Sequence, residues 1–250
     1  KISKSKLSVT CFKGDKDAPK DTESEKIWKK LGISKIKFLP KQDNWWGPAG
    51  NSGPCGPDTE IFYNNIEIWN NVFMQYNKTL DGKFKELKQK NVDTGMGVER
   101  TCALLNNFKD SYLTDSFLPI IKQIEKLSKR EYNSNKETTK AMRIIADHIK
   151  ASVIILSENI APGNKEQGYV LRRLIRRAIR FGKTINIQNN FTKQLSEIVI
   201  KIYDDYPELQ KNKKFVLNEI EKEENRFRQT LASGLRYFNK IIKQKKDITC

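Results

Sequence analysis

The sequence is poor in the residues that build metal and disulfide sites. It has four cysteines and one histidine in 250 residues, and no two cysteines form a C-x-x-C pair. A structural zinc site needs four close ligands, so we expect no zinc and no other metal site in this chain. Cys11, Cys55, Cys102 and Cys250 are scattered along the chain, which is typical of a protein from a reducing compartment.

Long apolar runs are missing as well. The longest candidate, residues 151–156, is far shorter than the about 18 residues that cross a bilayer. The N-terminal residues also lack the charged and then apolar pattern of a secretory signal, so we expect a cytoplasmic protein with no membrane partner. The first residue is Lys1 and not Met, which indicates a fragment or a trimmed chain.

The net charge of +17 comes from 47 basic and 30 acidic residues. Two interpretations are open: a polyanionic partner, or the lysine-rich composition that AT-rich coding DNA produces. Arginine separates them, because five of the 11 arginines lie within residues 172–180. Compositional bias does not cluster arginine, so the pattern favours a nucleic acid partner.

The chain changes character near residue 107. Before it, apolar and β-branched runs predict strands at 7–12, 35–39, 58–63 and 66–77, a turn at Asp81-Gly82, and short helices at 22–31 and 97–105. A capping box of Thr22 and Glu25 is expected to begin the first helix. After it, helical periodicity predicts helices near 114–129, 137–158, 167–183, 191–203 and 211–246. We therefore predict an α+β fold with a mixed part at 1–107 and an all-helical part at 108–250.

The segment D-T-G-M-G-V-E-R at 93–100 could bind a small ligand. Gly95 and Gly97 let a ligand approach the backbone, and Arg100 near a helix start could hold a phosphate. Asp93 could meet an ammonium group. The alternative is a glycine-rich turn followed by an ordinary surface arginine, since a lone G-x-G is a weak signal.

A Gly/Pro-rich loop at 43–57 holds Trp45 and Trp46. Exposed aromatic rings there could line a small-molecule pocket, or both could be core residues. Glu60 and Glu67 lie on the two strands that follow, and the sequence does not decide whether they meet. The lone His148 is read as a helix-packing or RNA-proximal residue, most simply a satisfied structural histidine.

The third constellation is the helix at 168–182. Its apolar positions repeat at helical spacing and predict one buried stripe: Val170, Leu171, Leu174, Ile175, Ala178 and Ile179. The other side carries Arg172, Arg173, Arg176, Arg177 and Arg180. Residues 167–196 include seven basic and no acidic residues. This pattern favours binding to a phosphate backbone over a merely solvated basic face.

Together these segments resemble the alanyl-tRNA synthetase family. The matching stretches, in the family's order, are DNWWGPAGNSGPCGPDTEIFY (43–63), EIWNNVFMQYN (67–77), VDTGMGVER (92–100), YLTDSFLPII (112–121), RIIADHIKAS (143–152), APGNKEQGYVLRRLIRRAIRFG (161–182) and EENRFRQTLASGL (223–235). The resemblance implies the back half of a class II aminoacylation domain at 1–107, an antiparallel sheet with flanking helices. It also implies most of a helical tRNA-recognition domain at 108–250.

The resemblance also implies a function and site residues. The reaction would be ATP- and Mg²⁺-dependent activation of alanine and its transfer to the 3′ end of tRNA(Ala). Asp93 would pair with the α-amino group of alanine, Arg100 with Gly97 would bind the ATP γ-phosphate, and the pocket would be lined by Trp46, Asn70, Val72 and Gly95. Asn164 would read the minor groove at the G·U pair of the acceptor stem, and the stem's backbone would be held by Arg172, Arg173, Arg176, Arg177 and Arg180.

Departures from the family's pattern limit the expected activity. Trp45 stands where the family commonly has Phe, and Gly47-Pro48 replaces a more usual Met-Gly stretch. The first two class II motifs, with the arginine for the α-phosphate, are expected before residue 1, on the same or a separate chain. The second acceptor-stem reader is expected after residue 250, and the zinc-bearing editing domain is not expected within these 250 residues. The alternative is therefore a non-catalytic tRNA-binding fragment or one half of a split synthetase.

Overall fold

The computed structural model describes residues 2–244, which form two compact units divided between Ser111 and Tyr112. The first unit combines a sheet with helices, and the second is all helical. An α+β fold with a helical part following the sheet is therefore confirmed. The assignment of these parts to aminoacylation and tRNA recognition stays a prediction.

The first unit is built on a six-stranded sheet. Its strands are β1 (Leu7–Phe12), β2 (Ile36–Leu39), β3 (Trp45–Trp46), β4 (Gly53–Tyr63), β5 (Ile66–Lys78) and β6 (Phe84–Met96). The order is β2-β1-β4-β5-β6, with β3 paired to β4. The pairs are antiparallel as expected, except that β1 pairs with β2 in parallel, so the sheet is mixed.

Two helices and a short turn complete the first unit. They are the 3₁₀ turn Lys4–Lys6, α1 (Thr22–Lys30) and α2 (Val98–Leu105). The predicted capping box is wrong, because Asp21 and not Thr22 caps α1: its side chain accepts a hydrogen bond from the Ser24 amide at 2.9 Å. The parallel β1–α1–β2 connection explains the mixed sheet, since a crossover helix allows parallel neighbours.

The register of β4 depends on Gly56. This residue lies at an irregularity between Cys55 and Asp58, where the pairing with β5 shifts. A Cβ at position 56 would overlap the carbonyl oxygen of Phe73, so no other residue fits without moving β5. The shift sets the register of the following residues, which begin with Asp58 opposite Val72.

The second unit packs its helices around a central one. The helices are α3 (Leu118–Ser128), α4 (Lys136–Ser157), α5 (Glu166–Thr184), α6 (Thr192–Ile202), α7 (Pro207–Lys211) and α8 (Lys213–Gln244), after a 3₁₀ turn at Ser111–Leu113. Helix α4 contacts each of the others, and its buried face is the middle of one large apolar cluster. The predicted helix at 211–246 corresponds to α8, which begins at Lys213 just after the short helix α7, and residues 245 and 246 lie outside the described part of the chain.

Candidate functional site

The register of three strands brings the predicted small-molecule residues together. Asn70 on β5 is opposite Gly95 on β6, and Val72 is opposite Asp93. Side chains of directly opposed residues share a face of the sheet, as do residues two apart on one strand. Asn70, Val72, Asp93 and Gly95 therefore occupy one continuous patch, although they come from segments more than 20 residues apart.

Strand β4 extends this patch with two carboxyl groups. Asp58 is opposite Val72 and Glu60 is opposite Asn70, so both share the face of the predicted residues. Sequence reasoning weighed Glu60 but missed Asp58. The available signal was its spacing of two from Glu60 on the same strand, which places both carboxyl groups on one face. We call the six residues Asp58, Glu60, Asn70, Val72, Asp93 and Gly95 the sheet-face patch.

A buried hydrogen-bond network holds one end of the sheet-face patch. The side-chain amide of Asn44, which is fully buried, donates to Asp58 Oδ1 at 2.7 Å and to Thr10 Oγ1 at 2.8 Å. Thr10 Oγ1 donates in turn to Glu60 Oε2 at 3.3 Å. The patch is thus organised by amide and hydroxyl donors that point at its carboxylates.

The sheet-face patch is acidic in a strongly basic protein. Burial raises the pKa of Asp58 to about 6. Burial first, and then the nearby charges of Asp58 and Glu67, raise the pKa of Glu60 to about 7. Such a surface attracts an ammonium group and repels a phosphate.

The two tryptophans of the Gly/Pro loop have different fates. The Trp45 ring packs on Phe12, Tyr76 and Phe84, with ring centroids 5.4–5.5 Å apart. Trp46 is 41% exposed and pairs with Gly56, two residues before Asp58. Trp45 packs against the core and Trp46 is exposed, so the alternative that both are core residues is wrong, and a pocket role for Trp46 stays a prediction.

Arg100 lies in the first turn of α2, after Gly97 at the N-cap. Its Nη1 donates to the backbone oxygen of Glu67 at 3.2 Å and to Glu67 Oε2 at 3.0 Å. The arginine is about half exposed, so it remains accessible to an anion. Gly95 faces open space, because a Cβ built there meets nothing within 4 Å.

The arginines of α5 are not equivalent. Arg173, Arg177 and Arg180 are exposed, whereas Arg172 and Arg176 are half-buried. Arg176 Nε donates at 2.6 Å to Oε1 of Glu223, a residue of α8 that is 2% exposed. The sequence showed no acidic residue within 167–196, but tertiary packing brings Glu223 of α8 to Arg176.

The apolar stripe of α5 is mostly as expected. Leu171, Ile175, Ala178 and Ile179 are buried, and Leu174 is half-buried. Val170 is 51% exposed, so its place in the buried stripe was wrong. It lies near the start of the helix, at the fifth residue of α5.

Asn164 lies in a loop that closes at the start of α5. The Gly163 amide donates to the Gly168 carbonyl oxygen at 2.8 Å. A Cβ on Gly168 would come within 2.8 Å of the Ala161 carbonyl oxygen, so the loop needs glycine there. Arg172 Nη1 donates to Asn164 Oδ1. The structure thus brings these two predicted RNA-binding residues into contact.

His148 is buried on α4, and its Nδ1 lies 3.0 Å from Asp147 Oδ2. Its Nε2 has no hydrogen-bond partner among the described residues, so the histidine is only partly satisfied. Over residues 2–244, no group of three or more His, Cys, Asp or Glu residues could hold a metal ion. In the same range no helix is both long and apolar enough to cross a membrane.

Known proteins resemble the whole of this chain. The family model described as tRNA synthetases class II (A) matches residues 1–249. An alanine–tRNA ligase of Borrelia hermsii is 47% identical over 97% of this chain and 45% of its own length. The alanine–tRNA ligase of Treponema denticola is 48% identical over 85% of this chain and 39% of its own length. The alanine–tRNA ligase of Bacillus pumilus is 36% identical over 96% of this chain and 29% of its own length. The chain thus spans less than half the length of these relatives.

Proposed function

Because the chain belongs to the class II (A) family of tRNA synthetases, we propose that it is part of an alanine–tRNA ligase. The whole ligase joins alanine to ATP as alanyl-adenylate with release of pyrophosphate. It then transfers the alanyl group to the 3′ end of tRNA(Ala) and releases AMP. The single observation that supports this best is the sheet-face patch, since its register gathers Asn70, Val72, Asp93 and Gly95.

The sheet-face patch suits a small zwitterionic amino acid. Asp93 accepts the ammonium group, and Asn70 contacts the substrate beside it. Val72 and the exposed Trp46 form apolar walls, and Gly95 lines the pocket without a side chain of its own. Discrimination in such a pocket is limited, because one methylene is worth only about 1–3 kcal/mol.

ATP binds next to the sheet-face patch, at Arg100 on α2. Arg100 binds the γ-phosphate beside Gly97, and Glu67 orients the guanidinium before the nucleotide arrives. Mg²⁺ accompanies ATP and neutralises the triphosphate charge when bound. The chemistry is then mainly positioning and charge stabilisation.

The helical unit binds the tRNA acceptor stem. Arg172, Arg173, Arg177 and Arg180 contact phosphates, and Arg176 contributes less because it is paired with Glu223. Asn164 reads the minor groove at the G·U pair. We propose a cytoplasmic location and a need for the part of the synthetase that carries the first two class II motifs, on the same or a separate chain.

Alanine-dependent exchange of pyrophosphate into ATP tests this function. We expect little exchange by this chain alone and restored exchange when the part with the first two motifs is supplied. In the restored enzyme, Asp93→Asn should raise the alanine KM strongly and leave the ATP KM nearly unchanged. Arg100→Ala should lower kcat/KM for ATP by about 10²-fold or more, because the variant loses one charge contact to the triphosphate in the transition state.

Two outcomes contradict the proposal. Equal loss of alanine and ATP use in both variants would indicate misfolding and remove the residue assignments. Tight binding of an acceptor stem with no exchange under any condition would favour the alternative of a non-catalytic tRNA-binding protein.

A further inference from the structure

Arg172 differs from the exposed arginines of α5 in its contacts and its burial. Its guanidinium contacts Asn164, eight residues earlier, whereas Arg173 lies over the ring of Tyr169 and Arg177 and Arg180 lie over the ring of Phe181. It is also half-buried while those three are exposed. A residue that served only as a positive charge would need neither feature.

The backbone around Asn164 is already held by the loop. Gly163 and Gly168 close it with a hydrogen bond of 2.8 Å, and the Tyr169 amide donates to the Lys165 carbonyl oxygen at 3.0 Å. Asn164 itself is exposed. Its side chain can therefore rotate unless another group holds the amide, and Arg172 is the group that touches it.

The contact gives the Asn164 amide a direction. A side-chain amide has an acceptor oxygen at one end and two donor hydrogens at the other. Because Arg172 donates to Oδ1, the oxygen end of the amide is held at the guanidinium and the Nδ2 group is left to donate to another partner. Without that contact the Asn164 amide can rotate by 180° and present either its donor or its acceptor end to the RNA. An amide that presents either end can bind more than one kind of base pair, so it discriminates less.

We propose that Arg172 is a positioning residue that orients Asn164 for reading the acceptor stem, in addition to any phosphate contact. This inference rests on the proposed role of Asn164. It separates Arg172 from the other arginines by function: Arg172 sets specificity, and Arg173, Arg177 and Arg180 set affinity.

Lysine substitution distinguishes the two roles. Lys keeps the positive charge but lacks the planar fork of donors that holds an amide in one orientation. Arg172→Lys is therefore the test, and Arg173→Lys, one residue away and exposed, is the matched control. Two RNA hairpin stems that differ only in one base pair, G·U or G·C, are bound to each variant at several salt concentrations.

We expect Arg172→Lys to lower the preference for the G·U stem by up to about tenfold, the size of one charge-assisted hydrogen bond. The salt dependence should be unchanged because the charge is kept. Arg173→Lys should leave the ratio of the affinities for the two stems intact, even where a weaker phosphate contact lowers both affinities. The double variant Asn164→Ala, Arg172→Lys should show the same preference as Asn164→Ala alone. Equal effects of the two lysine variants, or additive effects in the double variant, would overturn the inference.

A second measurement separates this inference from the function on which it rests. The side-chain amide NMR signals of Asn164 in the protein without RNA should shift in Arg172→Lys and stay in place in Arg173→Lys. Unshifted signals in Arg172→Lys would overturn the inference whatever the RNA results. Equal binding of both stems by the wild-type chain would instead remove the reading role of Asn164, and the positioning role with it.

Discussion

Replacing Glu224 by alanine removes a carboxylate that links two helices of the second unit. This residue of α8 is 1% exposed and accepts hydrogen bonds at the start of α6. Its Oε2 receives the Phe191 amide at 3.1 Å, the Thr192 amide at 2.9 Å and the Thr192 hydroxyl at 2.7 Å. Phe191 has no capping side chain of its own, so Glu224 supplies the cap of α6 from a distance.

The expected loss of stability follows from these contacts. Glu224 also pairs with Arg228 at 2.8 Å, and this arginine keeps its bonds to the carbonyl oxygens of Gln188 and Asn189. A lost helix cap costs about 0.5–2 kcal/mol, and breaking a buried ion pair costs about 3–5 kcal/mol. Because Arg228 retains other partners, we expect roughly 3 kcal/mol for Glu224→Ala and an intermediate value for Glu224→Gln.

The same two helices provide the control. Glu221 on α8 pairs with Lys193 on α6 at 2.9 Å, and both side chains are about 40% exposed. Exposed pairs of this kind contribute about 0–1 kcal/mol, so Glu221→Ala should change little. Urea unfolding followed by the helical circular dichroism signal measures both variants. Equal costs for Glu224→Ala and Glu221→Ala would refute the reasoning that burial and capping decide the difference.

Three further predictions concern other sites. Arg176→Ala leaves buried Glu223 without its closest partner, so it should lower the melting temperature of the helical unit, whereas a surface arginine would not. Gly168→Ala should abolish the preference for a G·U stem and keep the helical content, because its Cβ crowds the Ala161 carbonyl oxygen. Glu60 has a pKa of about 7, so the folded state keeps a proton that the unfolded chain has lost above about pH 5. Its stabilising effect is present at low pH and is lost as the pH rises through 7, and Glu60→Gln should flatten that loss in thermal melts from about pH 5 to about pH 8.

The sequence by itself determined the family and the kinds of elements. Seven ordered stretches carry the resemblance, and the family match over residues 1–249 confirms it. Strands β4 and β5, the turn at Asp81-Gly82 and helices α3 to α6 follow from local periodicity and turn residues. These features are encoded within short windows, since alternation and the 3.6-residue repeat depend only on near neighbours.

Tertiary structure decided which side chains meet. The partner of Arg176 lies 47 residues away on α8, and Glu224 caps a helix that begins 32 residues earlier. Asp58 joined the patch only through the β4–β5 register, which depends on the close approach of Gly56 to Phe73. Trp45 rather than Trp46 packs against the core because its ring contacts Phe12 and Tyr76, which are distant in the sequence. Such contacts link residues that are distant in the chain, and no local pattern records them, because packing alone brings their atoms within hydrogen-bonding distance.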